Sequence, residues 1–416
     1  MSRPKPAIIF VLITLFLDIL GIGLIIPILP KLIEQLSGGN VSSAAGTMGL
    51  LVALYSLMQF LCAPVLGSLS DRFGRRPVIL GSLFGSGMDY LLLAWAPNVG
   101  WFFLGRIVAG ITGANISATS AYIADVSPPE KRAQSFGLIG AAFGLGFIMG
   151  PMLGSVLGSY GLRVPFLVAA GLTLVNWLYG MFVLPESLTP EHRRAFSWSR
   201  ANPVGSLLAL RKYPVVVGLA MTLFLVYFAQ YGLQSTWVLY TSYRYHWTLR
   251  QIGLSLAIVG IMAAVVQGGL SRVLIPKMGE RRAVVMGMSI SIVNLALYGL
   301  ATQGWMVYTV LVLGALNSIA GPALQGLVSR SVAMNEQGAV QGSLSSIGSV
   351  AGVLGPLVSS SLFGYFISPR APVQLPGAPF FLGVLLTATG LGVALRSFRK
   401  TPAPSVREPE TALAAP

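Results

Sequence analysis

AIIFVLITLFLDILGIGLIIPILP, residues 7–30, is an apolar run that carries a single charge, Asp18, between Lys5 and Lys31 at its flanks. A helix of about 20 apolar residues crosses a bilayer, so the run predicts a transmembrane helix. It is too long for the apolar core of a signal peptide and lacks a small-residue cleavage site. A carboxylate at bilayer depth costs about 2.5–3.5 kcal/mol and is seldom kept for stability alone. Asp18 therefore indicates a membrane protein that moves something charged or protonatable.

The composition of the whole chain agrees with a membrane protein. It has 416 residues, of which 54% are hydrophobic and 9% are charged, whereas soluble domains carry about 25% charged residues. The net charge of +15 does not indicate nucleic-acid binding, because the basic residues lie in short gaps between apolar runs. Cys62 is the one cysteine, which excludes a disulfide within the chain.

Apolar runs of spanning length recur twelve times, and they are continuous rather than alternating, which argues against a β-barrel. We therefore predict an all-α integral membrane protein with twelve transmembrane helices. The predicted spans are 7–30, 45–69, 77–96, 100–124, 133–158, 164–185, 213–240, 249–275, 282–301, 304–329, 337–367 and 377–396.

The lysines and arginines predict the orientation of these helices. With the N-terminus in the cytoplasm, 21 of the 27 fall in cytoplasmic segments and five in external ones, while Arg106 lies inside a run. Positive charges concentrate on the cytoplasmic side, so both termini are predicted to be cytoplasmic.

The longest polar stretch divides the chain into two parts, and the parts resemble each other. The fifth and eleventh runs are both rich in small residues and carry Gly150-Pro151 and Gly355-Pro356 at matching places. Two similar six-helix halves are typical of a transporter that rocks around a midplane site. The predicted divisions are an N-terminal half 1–185, a cytoplasmic linker 186–212, a C-terminal half 213–400 and a disordered tail 401–416.

The most specific string is GSLSDRFGRRPVIL, residues 67–80, after the second run. Its arginines can clamp carboxylates or lipid phosphates, and Gly74 permits a tight turn. A basic loop that only sets orientation is the alternative interpretation. The candidate residues of a gating motif in this string are Gly67, Asp71, Arg72, Gly74, Arg75 and Arg76.

This string resembles the loop 2–3 signature of the major facilitator superfamily, in the form G-x-L-[AS]-D-R-x-G-R-[RK]-P. LGRIVAGITGA (104–114) resembles the helix 4 signature with its buried arginine, and GLGFIMGPMLGS (144–155) resembles the helix 5 motif of antiporters. Four further strings are similar to the tetracycline/proton antiporter branch: LDILGIGLIIPILP (17–30), LYSLMQF (54–60), MDYLLLA (88–94) and GPALQGLVS (321–329).

The resemblance implies a cytoplasmic latch. Asp71 and the nearby arginines would join Asp125, at the end of helix 4, in a charge-assisted network that stabilises the outward-facing state and breaks when the halves open inward. A helix-end acid without a partner is the alternative for Asp125. The antiporter motif of helix 5 would comprise Gly146, Gly150, Pro151 and Gly154.

The resemblance also implies that Asp18 and Asp89 are the membrane-embedded acids that couple protons to substrate. A carboxyl group in hydrocarbon favours its protonated form, so a cationic substrate and a proton compete for it. Arg106 is the natural counter-charge. Two alternatives stay open: Asp18 and Arg106 only neutralise each other, or Asp89 lies near a helix end or a water-filled funnel.

Uncharged polar and aromatic residues inside the apolar runs are candidates for the cavity wall, although hydrogen bonds between helices would explain each of them equally well. The candidates are Gln59, Asn115, Tyr231, Gln234, Trp237, Asn294, Asn317 and Gln325. Two family positions depart from the branch: its helix 9 acid falls at Ser291, and its helix 8 histidine falls at Ala263. The identity of the drug therefore stays open.

We predict a proton-coupled antiporter of the bacterial inner membrane that exports a drug or amphipathic molecule, with tetracycline as a candidate. The alternatives are a symporter or facilitator of a metabolite, and a lipid-translocating protein or sensor on the same scaffold. No phosphate-binding loop occurs, and His192 and His246 lie far apart in the sequence, so no cofactor, metal or enzymatic activity is expected. The expected partners are a small molecule, protons and lipid, with no nucleic acid, and the expected state is a monomer.

Overall fold

The fold is a bundle of long membrane-spanning helices, as the sequence predicts. The computed structural model describes residues 5–113, 116–128, 132–193, 214–332 and 337–400, and these contain no strand. Twelve segments are long and apolar enough to cross a membrane, and we number them span 1 to span 12. They are Ile9–Leu36, Val41–Phe73, Arg75–Trp95, Val99–Val126, Gly137–Gly158, Val164–Val183, Val216–Tyr245, Leu249–Met278, Glu280–Leu300, Gly304–Arg330, Val340–Ile367 and Ala378–Arg399.

Several spans consist of more than one helix. The α-helices are Lys5–Ile25, Leu29–Leu36, Val41–Phe73, Arg75–Trp95, Val99–Thr112, Ile116–Val126, Arg132–Gly158, Val164–Val183, Pro214–Tyr245, Leu249–Val265, Ser271–Met278, Glu280–Leu300, Gly304–Leu313, Ala320–Arg330, Gln337–Ile367 and Ala378–Lys400. Short 3-10 helices lie at Pro190–His192 and Gly314–Ile319, and a π-helix lies at Val266–Leu270.

Span 1 is longer than predicted and is broken at Pro27. Proline has no N–H to continue a helical ladder, and the chain turns there before helix Leu29–Leu36 begins. The predicted run ended at Pro30 because charges follow it. In the structure Lys31 Nζ lies 3.4 Å from Glu34 Oε2, so these charges pair on the surface of the continuing helix.

The glycines of span 5 bring its backbone against span 1. A side chain at Gly150 would begin 2.6 Å from the Cα of Gly23, and one at Gly154 would overlap the carbonyl of Leu24. At Gly146 the nearest neighbour is Ile19, which follows Asp18 in the sequence. Small residues allow such backbone contact between membrane helices. The helix 5 motif therefore fixes the position of the span that carries Asp18.

The two halves of the bundle meet at one end, which we call the closed end. Spans 2 and 11 and spans 5 and 8 pack against each other there. Ser42 Oγ donates a hydrogen bond of 2.7 Å to the Gly364 carbonyl across the halves. The contact continues as far as Ser56, whose Oγ lies 3.2 Å from where a side chain at Gly352 would begin.

The halves separate toward the opposite end, which we call the motif end because it carries residues 67–80. Gly140 and Gly144 of span 5, Gly268 of span 8 and Gly342 of span 11 lie beyond the last contacts, and open space surrounds each of them where a side chain would begin. Over the described residues, the molecule therefore has a cleft between its halves that opens at the motif end.

Candidate substrate and proton site

Spans 1 to 4 bring the predicted membrane-embedded charges together at the base of this cleft. Asp18 is half-buried on span 1, and both Asp18 and Arg106 of span 4 act electrostatically on the phenol of Tyr55. Tyr55 precedes Ser56, which lies in the contact between spans 2 and 11. The charged cluster therefore lies where the closed part of the molecule gives way to the open cleft.

Asp89 of span 3 is the most deeply buried acid of this cluster. Its side chain is 2% exposed, which rules out the water-filled funnel. Within the described residues, neither carboxylate oxygen has a hydrogen-bond partner, and Oδ1 lies 2.7 Å from where a side chain at Gly105 would begin. Buried polar side chains are nearly always hydrogen-bonded, so the bare carboxylate of Asp89 calls for a functional explanation.

Arg106 supplies the positive charge of the cluster. Its guanidinium carbon lies 5.8 Å from the centroid of the Tyr55 ring, a cation–π distance. Its Nε is buried without a hydrogen-bond partner among the described residues, and Arg106 is the charge that acts on Asp89. The guanidinium therefore keeps part of its bonding capacity unused, which suits a group that changes partners.

Gln59 links span 2 to span 4. Its Nε2 donates to Tyr55 Oη at 3.0 Å and to the Gly113 carbonyl at 3.3 Å. Gly113 is the C-cap of helix Val99–Thr112, the helix that carries Arg106. The Gln59 amide therefore ties the ring of Tyr55 to the span of the buried arginine.

The second half supplies an aromatic and amide wall opposite this cluster. Gln325 Nε2 donates to Tyr227 Oη at 3.2 Å, and the rings of Tyr227 and Tyr231 lie 6.4 Å apart. Tyr231 acts electrostatically on Tyr55 across the cleft. Tyr231 and Gln325 therefore fit their predicted place in the cavity wall.

Two predicted cavity residues lie elsewhere, and both predictions are wrong for this conformation. Trp237 is 4% exposed, donates from Nε1 to Ser255 Oγ at 3.0 Å and packs in an aromatic cluster of the second half. Asn294 is 5% exposed and donates from Nδ2 to the Gly314 carbonyl at 2.9 Å. Both side chains satisfy their polar groups inside the protein, as buried polar groups do.

Three other candidates add less to the site. Gln234 is exposed on span 7, and Asn317 is half-buried in the 3-10 helix Gly314–Ile319 of span 10. Asn115 lies outside the described residues.

The gating motif forms a charge network around Arg75. Its Nη1 lies 2.6 Å from Asp71 Oδ1, and its Nε lies 3.3 Å from Asp125 Oδ2. Arg75 is 8% exposed, whereas the side chains of Asp71 and Asp125 are 38% and 27% exposed, so the arginine is buried beneath acids that still reach solvent. Asp125 therefore has a partner, and the alternative of an isolated helix-end acid is wrong.

Glu186, just after span 6, is the residue of this network that sequence reasoning missed. Its Oε1 accepts from the Arg75 backbone N–H at 2.8 Å, and its Oε2 accepts from that of Arg76 at 3.2 Å. These N–H groups open helix Arg75–Trp95, where a carboxylate is favoured. Gly74, at φ 105°, lets the carboxylate approach. The one sequence signal for Glu186 is its position, because it is an acidic residue directly after the sixth apolar run.

The remaining motif residues serve the same loop. Arg76 Nη2 donates to the Met181 carbonyl at 2.5 Å, and exposed Arg72 lies 5.0 Å from the Phe73 ring centroid. Gly67 lies near Ser117 of span 4. Among the described residues, the contacts of the network join the first six spans and Glu186 to one another, and they are formed while the motif end is open. A role of the network in the outward-facing state stays a prediction.

The second half has a matching pair with reversed charges. Glu280, at the start of span 9, pairs with Arg330, at the end of span 10. The two residues are 50 apart in sequence, as Arg75 and Asp125 are. Gly279 before Glu280 has φ 81°, close to the backbone of Gly74. The two loops are therefore equivalent positions of a structural repeat.

A twelve-span helical bundle with a cleft between two related halves and buried charges at its base defines a membrane transporter. The sequence profile of the Major Facilitator Superfamily matches residues 11–356, and the chain belongs to this family.

The chain is similar to two tetracycline resistance proteins over nearly its full length. The chain is 42% identical to the class C tetracycline resistance protein of Escherichia coli over 361 residues, 87% of this chain and 90% of the relative. It is 35% identical to the class H protein of Pasteurella multocida over 401 residues, 95% of this chain and 97% of the relative.

Solved structures of transporters share the fold. The human organic anion transporter MFSD10 is 27% identical, with a TM-score of 0.69 over 95% of this chain and 100% of that one. A bacterial homolog of the human lysosomal transporter Spinster, in an inward-facing occupied conformation, has a TM-score of 0.77 at 16% identity over 97% of this chain and 100% of that one. The second likeness concerns the fold alone.

Proposed function

We propose that this protein is a proton-coupled efflux transporter that exports an amphipathic drug by alternating access, with tetracycline as the first candidate. The observation that carries the proposal is the cluster at the base of the cleft. Asp89 is buried without a hydrogen-bond partner among the described residues, Arg106 acts on it electrostatically, and the half-buried Asp18 belongs to the same cluster. A purely structural role would give the Asp89 carboxylate hydrogen-bond partners, whereas proton exchange needs a carboxylate that can gain and lose a proton.

The cleft gives the exchange its route. Substrate enters at the motif end and lies between the charged cluster and the wall of Tyr227, Tyr231 and Gln325. Substrate binding displaces a proton from Asp18, and the halves then rock, open the closed end and close the motif end. A proton from the far side restores the acid. An electrical gradient contributes about 2.3 kcal/mol per charge per 100 mV.

The basic loops support placing the motif end in the cytoplasm of a bacterial cell, with both termini on the same side. We propose that the segments 1–185 and 213–400 move as the two halves, joined by the linker 186–212, and that one chain in lipid is the working unit. The tail 401–416 and most of the linker lie outside the described residues.

The relatives named for tetracycline resistance support a tetracycline-class substrate. Ser291 and Ala263 replace the acidic residue and histidine expected from the resemblance to that branch. The two candidate membrane-embedded acids, Asp18 and Asp89, then both lie in the first half, and we expect a broader preference for amphipathic cations or zwitterions than a dedicated metal–drug site would give.

Drug uptake into everted vesicles tests the proposal. An imposed proton gradient should drive accumulation with the wild-type protein, and Asp18→Asn should abolish it while the protein still inserts. Glu34→Gln is the matched control, because Glu34 lies on the same span but pairs with Lys31 away from the cluster. Undiminished proton-driven transport by Asp18→Asn would refute the mechanism, and export from such vesicles would support an uptake carrier.

A further inference from the structure

A cavity of about 550 Å³ lies at the closed end, on the side of the molecule away from the cleft. Asn40 and Ser42 of the first half line one side, and Tyr243, Tyr365 and Arg370 of the second half line the other. Drug-sized ligands occupy cavities of about 300–1,000 Å³. The size therefore fits a small organic molecule.

The cavity exists only in the conformation in which the two halves are in contact at this end. Ser42, in its wall, makes the hydrogen bond to the Gly364 carbonyl that joins the halves. A side chain at Gly364 would begin 2.9 Å from the Ser42 carbonyl oxygen, so the backbones are in contact. Opening this end would separate the two walls and destroy the cavity.

The lining favours an anion. Arg370 is the one charged residue in the wall and has no acidic partner among the described residues. The Asn40 Oδ1 atom accepts from the Ser43 backbone N–H, so its Nδ2 remains available as a donor. Tyr243 and Tyr365 are 37% and 49% exposed, and they add phenol donors beside flat apolar rings. Cation, amide and phenols together match a flat molecule with a carboxylate or sulfonate.

We propose that this cavity binds an amphipathic aromatic anion from the side opposite the motif end, and that the bound anion holds the closed end shut. The ligand would bridge Asn40 of one half and Arg370 of the other, so it binds one conformation and shifts the population toward it. Such a molecule would inhibit turnover without entering the central cleft.

Dansylate, an aromatic sulfonate, is the probe, and its fluorescence anisotropy is measured with the full chain in nanodiscs of zwitterionic lipid. We expect saturable binding that Arg370→Ala weakens about tenfold or more and Arg370→Lys restores in part. Arg250→Ala is the matched control, since Arg250 is an exposed arginine that does not line the cavity. Dansylamide keeps the ring without the negative charge and should bind equally weakly to all variants.

Nanodiscs with anionic lipid distinguish a soluble anion from a lipid headgroup. If anionic lipid lowers the dansylate affinity of wild type but not of Arg370→Ala, a lipid phosphate competes for Arg370. The site would then still bind an anion, and its natural ligand would be a lipid headgroup. Absence of saturable binding, or equal binding by wild type and Arg370→Ala, would overturn the proposal. These readouts need no transport, so they stand or fall separately from the efflux function.

Discussion

Asp89 and Asn294 occupy equivalent positions in the two halves, yet only one of them is satisfied. Each follows a glycine with positive φ, Gly74 or Gly279, by the same number of residues. Asn294 donates to the Gly314 carbonyl, whereas neither oxygen of Asp89 has a hydrogen-bond partner among the described residues. The same scaffold thus holds a fixed interhelical bond in one half and a titratable group in the other.

The difference extends along the repeat. LFLD, which ends at Asp18, corresponds to LFLV, which ends at Val226 on span 7. The second half therefore lacks both acids at places where the first half has them. We infer that the first half responds to protons and that the second half acts as a partner whose internal packing stays constant.

The largest expected effect comes from making the first half resemble the second. Asp89→Asn should abolish proton-driven drug accumulation in everted vesicles, because an amide takes up no proton at this position. The free energy of unfolding should change by no more than about 1 kcal/mol, since neither side chain finds a hydrogen-bond partner there.

Asn294→Asp is the reciprocal control for this comparison. A protonated carboxyl can still donate to the Gly314 carbonyl, so transport should persist. Equal transport by Asp89→Asn and wild type would mean that Asp89 is structural, and the contrast between the halves would then lose its functional meaning.

The next effect concerns the two loops that carry charge pairs. Gly74→Ala and Gly279→Ala both place a side chain at positive φ, which costs about 1–3 kcal/mol. At Gly74 the new methyl group also overlaps the Glu186 carboxylate, whereas at Gly279 it meets open space. Gly74→Ala should therefore lower the thermal midpoint in detergent more than Gly279→Ala. Combining Gly74→Ala with Glu186→Ala should remove the overlap, and equal losses for the two single variants would contradict the role of Glu186.

Reversing the charge pairs compares the same two loops, with a smaller expected effect on stability. Glu280→Arg combined with Arg330→Glu should restore part of the stability lost in either single variant, because no third charged group pairs with them among the described residues. Recovery stays incomplete because the swap puts a cation at the start of span 9 and an anion at the end of span 10, against both helix dipoles. The pair is partly exposed and is worth about 1 kcal/mol or less.

The equivalent swap in the first half should fail. Arg75→Glu combined with Asp125→Arg leaves Asp71 facing a new carboxylate, so repulsion replaces one of the two ion pairs of Arg75. Thermal unfolding of the two double variants measures the difference. Equal rescue in both halves would show that the first-half pair is independent of Asp71.

Much of the fold could be predicted because apolar runs and loop charges report directly on the membrane. The twelve predicted spans are confirmed within a few residues, apart from span 1, where paired Lys31 and Glu34 let the helix continue. The resemblance of residues 67–80 to a family signature led us to expect Asp71, the nearby arginines and Asp125 in one network, and Arg75 does contact both acids.

Other features depend on tertiary contacts that no local pattern carries. Glu186 reaches Arg75 across 111 residues, and nothing around it in the sequence marks that contact. Trp237 was assigned to the cavity because it lies in an apolar span with polar neighbours, but the rotation of the helix turns it into the aromatic core. Which end is closed is also absent from the sequence, because both conformations use the same helices.

The smallest expected effect compares the N-caps of spans 2 and 8, which occupy equivalent places in the two halves. Asn40 Oδ1 accepts from the Ser43 backbone N–H at 3.0 Å, while Thr248 Oγ1 accepts from that of Gln251 at the longer distance of 3.4 Å. Replacing such a cap by alanine costs about 1 kcal/mol. Asn40→Ala should therefore lower the thermal midpoint slightly more than Thr248→Ala, where the Gln251 side chain still accepts from the residue 248 N–H. Asn40→Ser keeps a capping oxygen and should restore the midpoint, whereas equal losses for Asn40→Ala and Asn40→Ser would show that Asn40 acts through the closed-end cavity instead of the helix.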